Sequence, residues 1–590
     1  MPTTKNIFFL FLGLYFLTFL TINLIQYSSS QPRQLPANSS VTSQVEFNDP
    51  DEYKYKFHNP KLAYKILSLI DKFEPVNDSY YSERTEVKGR YNLPYYGLKS
   101  SEDYCKRHRH LVTQNPELIF EQVNMVLTAH KTSLMRTKCI DDLALDLHPK
   151  VGFHMKQKDA DSKLYDIKTN ANFFHTKNPM YIHKHIGKHF SCTTQVSNHI
   201  PGHSSLDRKD FVAENAIKYG EKYQDKPQCF SYDKFFPKTW LLYNEEHCQD
   251  FFKILNSANY RKLKKERTIV FIRKIAARFH RGEGVQPVNQ QEENDLKELY
   301  GNGKLCGNIT KSYIVQNYVH NPLLLNGHKF DFRMYMLIAS TNPLMAYYHD
   351  GFLRVTLAEY NVSSGEKKVL LTNLALNKQI YDDVKGGTLY KGMDEENLKI
   401  AQQWSFERLQ DYLLEKGIIS DPNWLDNYLR PEFKKAMVHL LRLSAFSFLK
   451  HSSLYELYGV DFMLDENLNL WFIEANSSPA IEGYSVPMEK FIVKMVKDHF
   501  ELMIGLMRSR MKRIVEYVNY LDLNRIVKNK SDGKVIIKDI KEKVEHFKSI
   551  SKNYFEEEFL PSPDNGFVKI LDENLDGGER YQNLLSSECL

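Results

Sequence analysis

A chain of 590 residues is longer than one hydrophobic core organises, so about three structural units are expected. With 42% hydrophobic and 26% charged residues the composition is that of an ordinary folded protein, which excludes a disordered chain. The net charge of +6 is mild for this length, so where the charges lie matters more than their sum, and no nucleic-acid partner is expected.

At the start, residues 7–25 form an apolar run broken only by Thr18, Thr21 and Asn23. Such a run is long enough to cross a bilayer, and no small-residue cleavage site follows it. Residues 1–27 are therefore expected to be a membrane anchor, with a cleaved signal as the alternative. The seven cysteines, an odd number with no CxxC pair, suggest reduced thiols. Glycan-acceptor sequons occur at Asn38, Asn77, Asn308, Asn361, Asn476 and Asn529. A cytosolic body behind the anchor is expected from the cysteines and from Asn476, whose glycan would destroy the side-chain cluster described below, with a lumenal orientation as the alternative.

Residues 28–144 are expected to be linker and variable extension, with helical patches such as 116–131. Regular structure is expected from 145 onward. A Pro-Gly turn at Pro201-Gly202 leads into an amphipathic helix from near Leu206, which places Lys209 in its first turn, where the helix dipole disfavours a cation. A short strand at 235–242, a helix over 245–255 and a buried strand at 268–272 follow. That strand runs into Lys274 and a loop ending Arg281-Gly282-Glu283-Gly284. Two glycines allow close approach of a phosphate to the backbone while Lys274 and Arg281 neutralise it, although the spacing matches neither the dinucleotide fingerprint nor the Walker loop.

Strands are next expected at 313–318, carrying Gln316 and Tyr318, and after the Asn326-Gly327 turn. In the latter strand Lys329, Asp331, Arg333 and Tyr335 share one face. A further strand, 346–355, ends in Arg354; Asn373 and Lys378 lie beyond it, and 404–450 is helical by pattern. Val460–Leu464 and Leu468–Ile473 then flank Asp-Glu-Asn, the pattern of a β-hairpin. Glu474 and Asn476 share a face, and pairing brings Asp461 beside them. The resulting oxygen-only set suits a hard ion such as Mg²⁺, completed by phosphates and water. Residues 505–552 form a basic helical tail whose cations would draw an acidic partner, and an acidic C-terminus from Glu556 is expected to loosen.

In this order the stretches resemble the tubulin–tyrosine-ligase-like family over about 145–505. Gln316 through Tyr335 follows "QxYIxNPLLxxGxKFDxRxY" nearly throughout, Leu371 to Lys378 follows "LTNxxxNK", and Gly459 to Pro479 follows "GxDxxxDxxxxxWxxExNxxP". "KxxxxxRGxG" is met by Lys274 and Arg281–Gly284 with one extra residue, and the Lys of "LxRKD" is Lys209. The resemblance implies an α/β (α+β) architecture: an ATP-grasp catalytic region at 271–505, a small N-terminal α/β part at 145–270, and the tail at 506–590. It also implies roles. Lys274 would hold the α/β phosphates under the Arg281, Gly282 and Gly284 loop. Gln316 and its strand would line the adenine. Lys209, Arg333 and Arg354 would surround the γ-phosphate and incoming acyl group, with Asp331 in the same polar shell. Asp461, Glu474 and Asn476 would hold Mg²⁺. Tyr318, Lys329, Asn373 and Lys378 fall in motif positions that line the nucleotide. The departures are Asn317, where the family often has Lys, Arg or Glu, and Ile275, where it usually has Pro.

The implied reaction joins an amino acid to a protein carboxylate at the expense of ATP, through an acyl phosphate. Arg333-Met334-Tyr335 and Asn377-Lys378 resemble glutamate-adding members, which makes acidic tubulin tails on microtubules, those of cilia included, the implied partner. Glycine- or tyrosine-adding ligases, an inactive membrane-tethered microtubule-binding protein, and a ligase for a non-tubulin acidic protein are the alternatives.

Overall fold

The structure is a computed structural model that describes, in the main, residues 55–73, 101–128, 145–147, 171–176, 192–223, 232–275, 284–309, 313–372, 393–481, 485–523 and 553–573. Leu62, Ile66 and Ile70 recur every fourth residue and are buried, which fixes the inner stripe of helix α1 (Pro60–Phe73). Helix α2 (Ser101–Gln114) packs against it. Short parallel strands follow: β1 (Val123–Thr128), β2 (Leu145–Leu147), β3 (Phe173–Thr176) and β4 (Val196–Asn198). The described part of the expected linker thus carries two helices and the first strand of a large sheet.

Beyond β4 the expected helix is split. Ser204–Asp207 forms one turn, Arg208 is extended with ψ 125°, and helix α3 runs Lys209–Tyr223. Strand β5 (Thr239–Leu241), helix α4 (Glu245–Leu255), strands β6 (Phe271–Ile275) and β7 (Val285–Pro287), helix α5 (Gln290–Leu299) and strand β8 (Tyr313–Asn317) come next. The Asn244 and Asn289 side chains cap α4 and α5 by accepting from backbone N–H groups of the first turn. These strands form a four-stranded antiparallel sheet in the order β5-β8-β6-β7. Trp240, Phe251, Phe271 and Val315 fill its core.

A tight turn at Asn326 (φ 51°) and Gly327 (φ 84°), both in the left-handed region such a turn needs, joins β9 (Leu324–Leu325) to β10 (His328–Thr341). Strands β11 (Leu344–Glu359) and β12 (Gln403–Trp404), helix α6 (Arg430–Ser444), strands β13 (Leu454–Leu464) and β14 (Leu470–Asn476), helix α7 (Val486–Leu523) and strand β15 (Val568–Asp572) complete the body. The large sheet has eleven strands among the described residues. Its main order is β12-β11-β10-β13-β4-β3-β1-β2, with β14 on β13, β15 on β11 and β9 on β10. The expected hairpin is present as β13–β14, and its register pairs Asp461 with Glu474 and Gly459 with Asn476.

Three expectations are corrected. The acidic C-terminus does not simply loosen: residues 568–572 pair with β11, and Ile570 and Leu571 are buried in the main core. Nor is the first part of the basic tail a free cationic face. Arg510 is buried and donates to Ser452, Asn553 and the Gln195 carbonyl, Arg513 pairs with Glu556 at 3.0 Å, Lys512 pairs with Glu558 at 2.9 Å, and Arg508 donates to the Ile119 carbonyl. The third concerns thiols. Cys105 is bonded to Cys192 and Cys248 to Cys306, so the inference of a cytosolic body from reduced cysteines loses its premise. The apolar run at 7–25 lies outside the described residues, among which no helix is long and apolar enough to cross a membrane.

If β15 is a true part of the core, Leu571→Ala costs about 2–5 kcal/mol, as expected for a buried large-to-small change. Denaturant midpoints at unchanged slope measure this, and a loss under about 0.5 kcal/mol would mean the strand is not docked.

Candidate active site

One pocket is lined from both sheets. Lys274, Ile314 and Gln316 come from the small sheet, Phe472, Ile473, Glu474 and Ala475 from β14, and Lys209 and Val212 from α3, with Leu206, Asp207 and Phe236 completing it. Its walls are apolar, and Phe236 stacks on Phe472 with ring centroids 5.6 Å apart. The polar groups converge on one side.

Lys209 is the first residue of α3, where the dipole disfavours a cation; Glu474 answers it at 3.0 Å. Burial alone would raise the Glu474 carboxyl, but the charge and hydrogen bond of Lys209 hold it at about 2. Burial would likewise lower Lys209, and Glu474 reverses that. The Asn476 amide donates to the other Glu474 oxygen at 3.3 Å, as their shared strand face requires.

Lys274 sits near the end of β6 and donates to the Gln316 carbonyl oxygen at 2.6 Å across the β6–β8 pair. The Gln316 amide donates to Thr239 at 2.9 Å, so the side chain is fixed between strands. Burial, then the neighbouring charge of Lys209, pushes the Lys274 ammonium down to about 8. Lys329 is also buried and donates to the Tyr318 hydroxyl at 3.0 Å and the Leu370 carbonyl at 2.8 Å. Burial lowers it to about 7 despite the nearby Asp331. Among the described residues neither lysine has a carboxylate within 4 Å.

Behind this cleft runs a buried ion network. Arg333 is bidentate on Asp461 at 2.6 and 3.1 Å, and Arg354 reaches both Asp331, at 2.6 and 2.7 Å, and Asp461 at 2.7 Å. Thr372 donates to Asp331 as well. Room for Arg333 depends on Gly459: a β-carbon there would lie 3.0 Å from Pro479 and 3.2 Å from the Arg333 side chain.

The structure therefore gathers Lys209, Lys274, Gln316, Glu474 and Asn476 around the pocket, and Asp331, Arg333, Arg354 and Asp461 into one adjoining network. Gly284 is held at the base of its loop, where its carbonyl accepts from the Ile275 N–H at 2.7 Å. Arg281, Gly282, Asn373 and Lys378 lie outside the described residues. Arg333 and Arg354 are committed to carboxylates and do not stand free toward the pocket. Sequence reasoning missed His203 and Asp207. They pair at 2.7 Å, Asp207 accepts from Ser477 beside Asn476, and it lines the pocket. The Asp207 charge, set against burial, holds the His203 imidazolium up at about 9. An acid two residues before Lys209 was the available signal.

Asp461, Glu474 and Asn476 offer only oxygens on paired strands, the donor chemistry of Mg²⁺. Among the described residues no group of three or more His, Cys, Asp or Glu is placed to hold a metal ion. Lys274, with no carboxylate within 4 Å among the described residues and apolar walls around it, likewise fits a phosphate beside a flat base.

A mixed α/β body with such a cleft between two sheets is consistent with an ATP-grasp-like ligase domain. The Tubulin-tyrosine ligase family matches residues 188–514, more than half of the sequence, and the chain belongs to that family. It is similar to Tubulin monoglutamylase TTLL4 of Mus musculus, 28% identical over 54% of this chain and 24% of that protein. It is 29% identical to Protein polyglycylase TTLL10 of Rattus norvegicus, over 46% and 38%, and 26% identical to Probable alpha-tubulin polyglutamylase Ttll1 of Tetrahymena thermophila, over 52% and 72%. The matched region spans about a quarter to two-fifths of the length of the first two.

The depressed Lys329 makes a signed prediction. Unfolded, it keeps its proton up to the ordinary lysine range; folded, it loses it near 7. The cost of burying it is thus full at and below pH 7 and fades as pH rises toward 10. Lys329→Met should raise the thermal midpoint by a few degrees at pH 7 and by less at pH 9.5. A gain that does not change with pH would contradict the assignment.

Proposed function

We propose that the protein is an ATP- and Mg²⁺-dependent ligase that joins free glutamate to glutamate side chains in acidic protein tails of the tubulin type. The observation that carries this is that one pocket brings Lys274, which has no carboxylate within 4 Å among the described residues, together with Glu474 of the Asp461–Glu474–Asn476 oxygen set. Lys274, buried and held by Gln316, is suited to the α/β phosphates, and Tyr318, Lys329 and the β8 edge to the remainder of the nucleotide. Lys209 stands against Glu474, where the terminal phosphoryl group and acceptor carboxylate would meet. Mg²⁺ on Asp461, Glu474 and Asn476 would neutralise phosphate oxygens.

The acceptor carboxylate takes the terminal phosphoryl group to give an acyl phosphate; the glutamate amine attacks its carbonyl, and phosphate leaves. Arg333 and Arg354 hold Asp461 and Asp331 in place, so their part is to position the oxygen set. Such chemistry asks the protein for position and charge, not for a nucleophile. Glutamate is favoured over glycine by Arg333-Met334-Tyr335 and by the two glutamylases among the similar proteins named above; the polyglycylase makes glycine the competing donor.

Full-length protein incubated with microtubules, Mg-ATP and radiolabelled glutamate, with glycine in parallel, should label tubulin from glutamate. Glu474→Gln should cut the rate by about 10²-fold or more. Glycine label would replace the donor and keep the mechanism. Equal label from Glu474→Gln would remove the carboxylate from the reaction.

A further inference from the structure

All four cysteines among the described residues are paired, and each pair joins segments far apart in sequence. Cys105 on α2 meets Cys192 ahead of β4 after 87 residues; Cys248 on α4 meets Cys306 beyond α5 after 58. Their Cα atoms lie 5.6 and 5.7 Å apart, inside the span a disulfide demands. Both sites are built rather than incidental. Around the first, Asp71 pairs with Arg109 at 2.7 Å and accepts from the Thr193 N–H at 2.8 Å, so α1, α2 and the loop before β4 converge independently of the sulfurs. The second lies in the apolar cluster of Phe251, Phe252 and Tyr300. Pairs of this kind persist where glutathione and thioredoxin do not reduce them.

A second observation points the same way. The sequons at Asn308 and Asn361 both fall on exposed loops, one two residues beyond Cys306 and the other just past the end of β11. The Asn476 sequon differs: that side chain is half-buried on Glu474 and has to stay bare for the cleft to work. Ahead of the body, the apolar run at 7–25 is of the type that delivers a chain to a translocon.

We propose that the body folds in an oxidising secretory lumen, with Cys105–Cys192 and Cys248–Cys306 as its structural disulfides and Asn308 and Asn361 as N-glycan acceptors. In each pair two thiols give up two protons and two electrons to a disulfide carrier of that lumen, which leaves as a dithiol. At each asparagine a new bond from Nδ2 to the sugar anomeric carbon replaces that carbon's bond to the pyrophosphate of a lipid-linked donor, and the amide proton leaves with the pyrophosphate. Resting on the ligase reading, the proposal also makes the natural acceptor an acidic segment of a protein in the same lumen, for which a tubulin tail serves in vitro.

The test uses the full chain made in a eukaryotic cell line. Removal of N-glycans by endoglycosidase should increase its mobility, and Asn308→Gln with Asn361→Gln should shrink that shift by the mass of two glycans. In the unreduced protein, blocked with an alkylating agent and digested, the Cys105 and Cys192 peptides should be linked, as should those of Cys248 and Cys306. Free, alkylated thiols at either pair, a chain whose mobility does not change, or a shift of the same size in the double variant would each overturn the proposal. Glutamate ligation by the same preparation is scored separately: glycans and disulfides without ligation sink the ligase reading alone, and ligation by an unglycosylated, fully alkylated chain sinks the compartment alone.

Discussion

The bidentate pairing of Arg333 with Asp461, extended through Arg354 to Asp331, ties β10, β11 and β13 together at the point where the cleft needs them fixed. Buried ions cost more in desolvation than a loose pair returns, and such a network persists only when every member is answered. Here the answers come from neighbouring strands in register: Arg333 faces Asp461 across β10–β13, and Asp331 faces Arg354 across β10–β11. The geometry of the sheet, not side-chain reach, therefore sets the charge pattern. Arg333 and Arg354 are spent on Asp461 and Asp331, and Lys209 on Glu474. Lys274, in the pocket wall, and Lys329, buried on Tyr318 and the Leu370 carbonyl, are left without a carboxylate within 4 Å among the described residues, and burial lowers both ammonium groups.

The parts of this arrangement that follow a period of two were legible in the sequence. Glu474 and Asn476 share a face in any strand, the polar turn at 465–467 brings Asp461 opposite, and the Asn326-Gly327 turn starts β10 in the expected phase. What local pattern does not carry was missed. The break at Arg208 depends on packing of the preceding turn, and the docking of residues 568–572 on β11 is a pairing over more than two hundred residues. The two disulfides close loops of 87 and 58 residues that no spacing rule connects. The cations of the last long helix looked like a surface because a sequence shows charge but not burial. Arg510 and Arg513 in fact hold carbonyls and Glu556 inside the body.

The same oxygens of Asp461 that pair with two arginines are those a divalent ion would need. The arginines keep Asp461 from being a lone buried anion, and a bound ion would have to share those oxygens with them. Gly459 is what gives Arg333 its room, since a β-carbon at that position would press on Arg333 at 3.2 Å and on Pro479 at 3.0 Å, so Gly459, Arg333 and Asp461 together fix the charge pair where β10 and β13 meet.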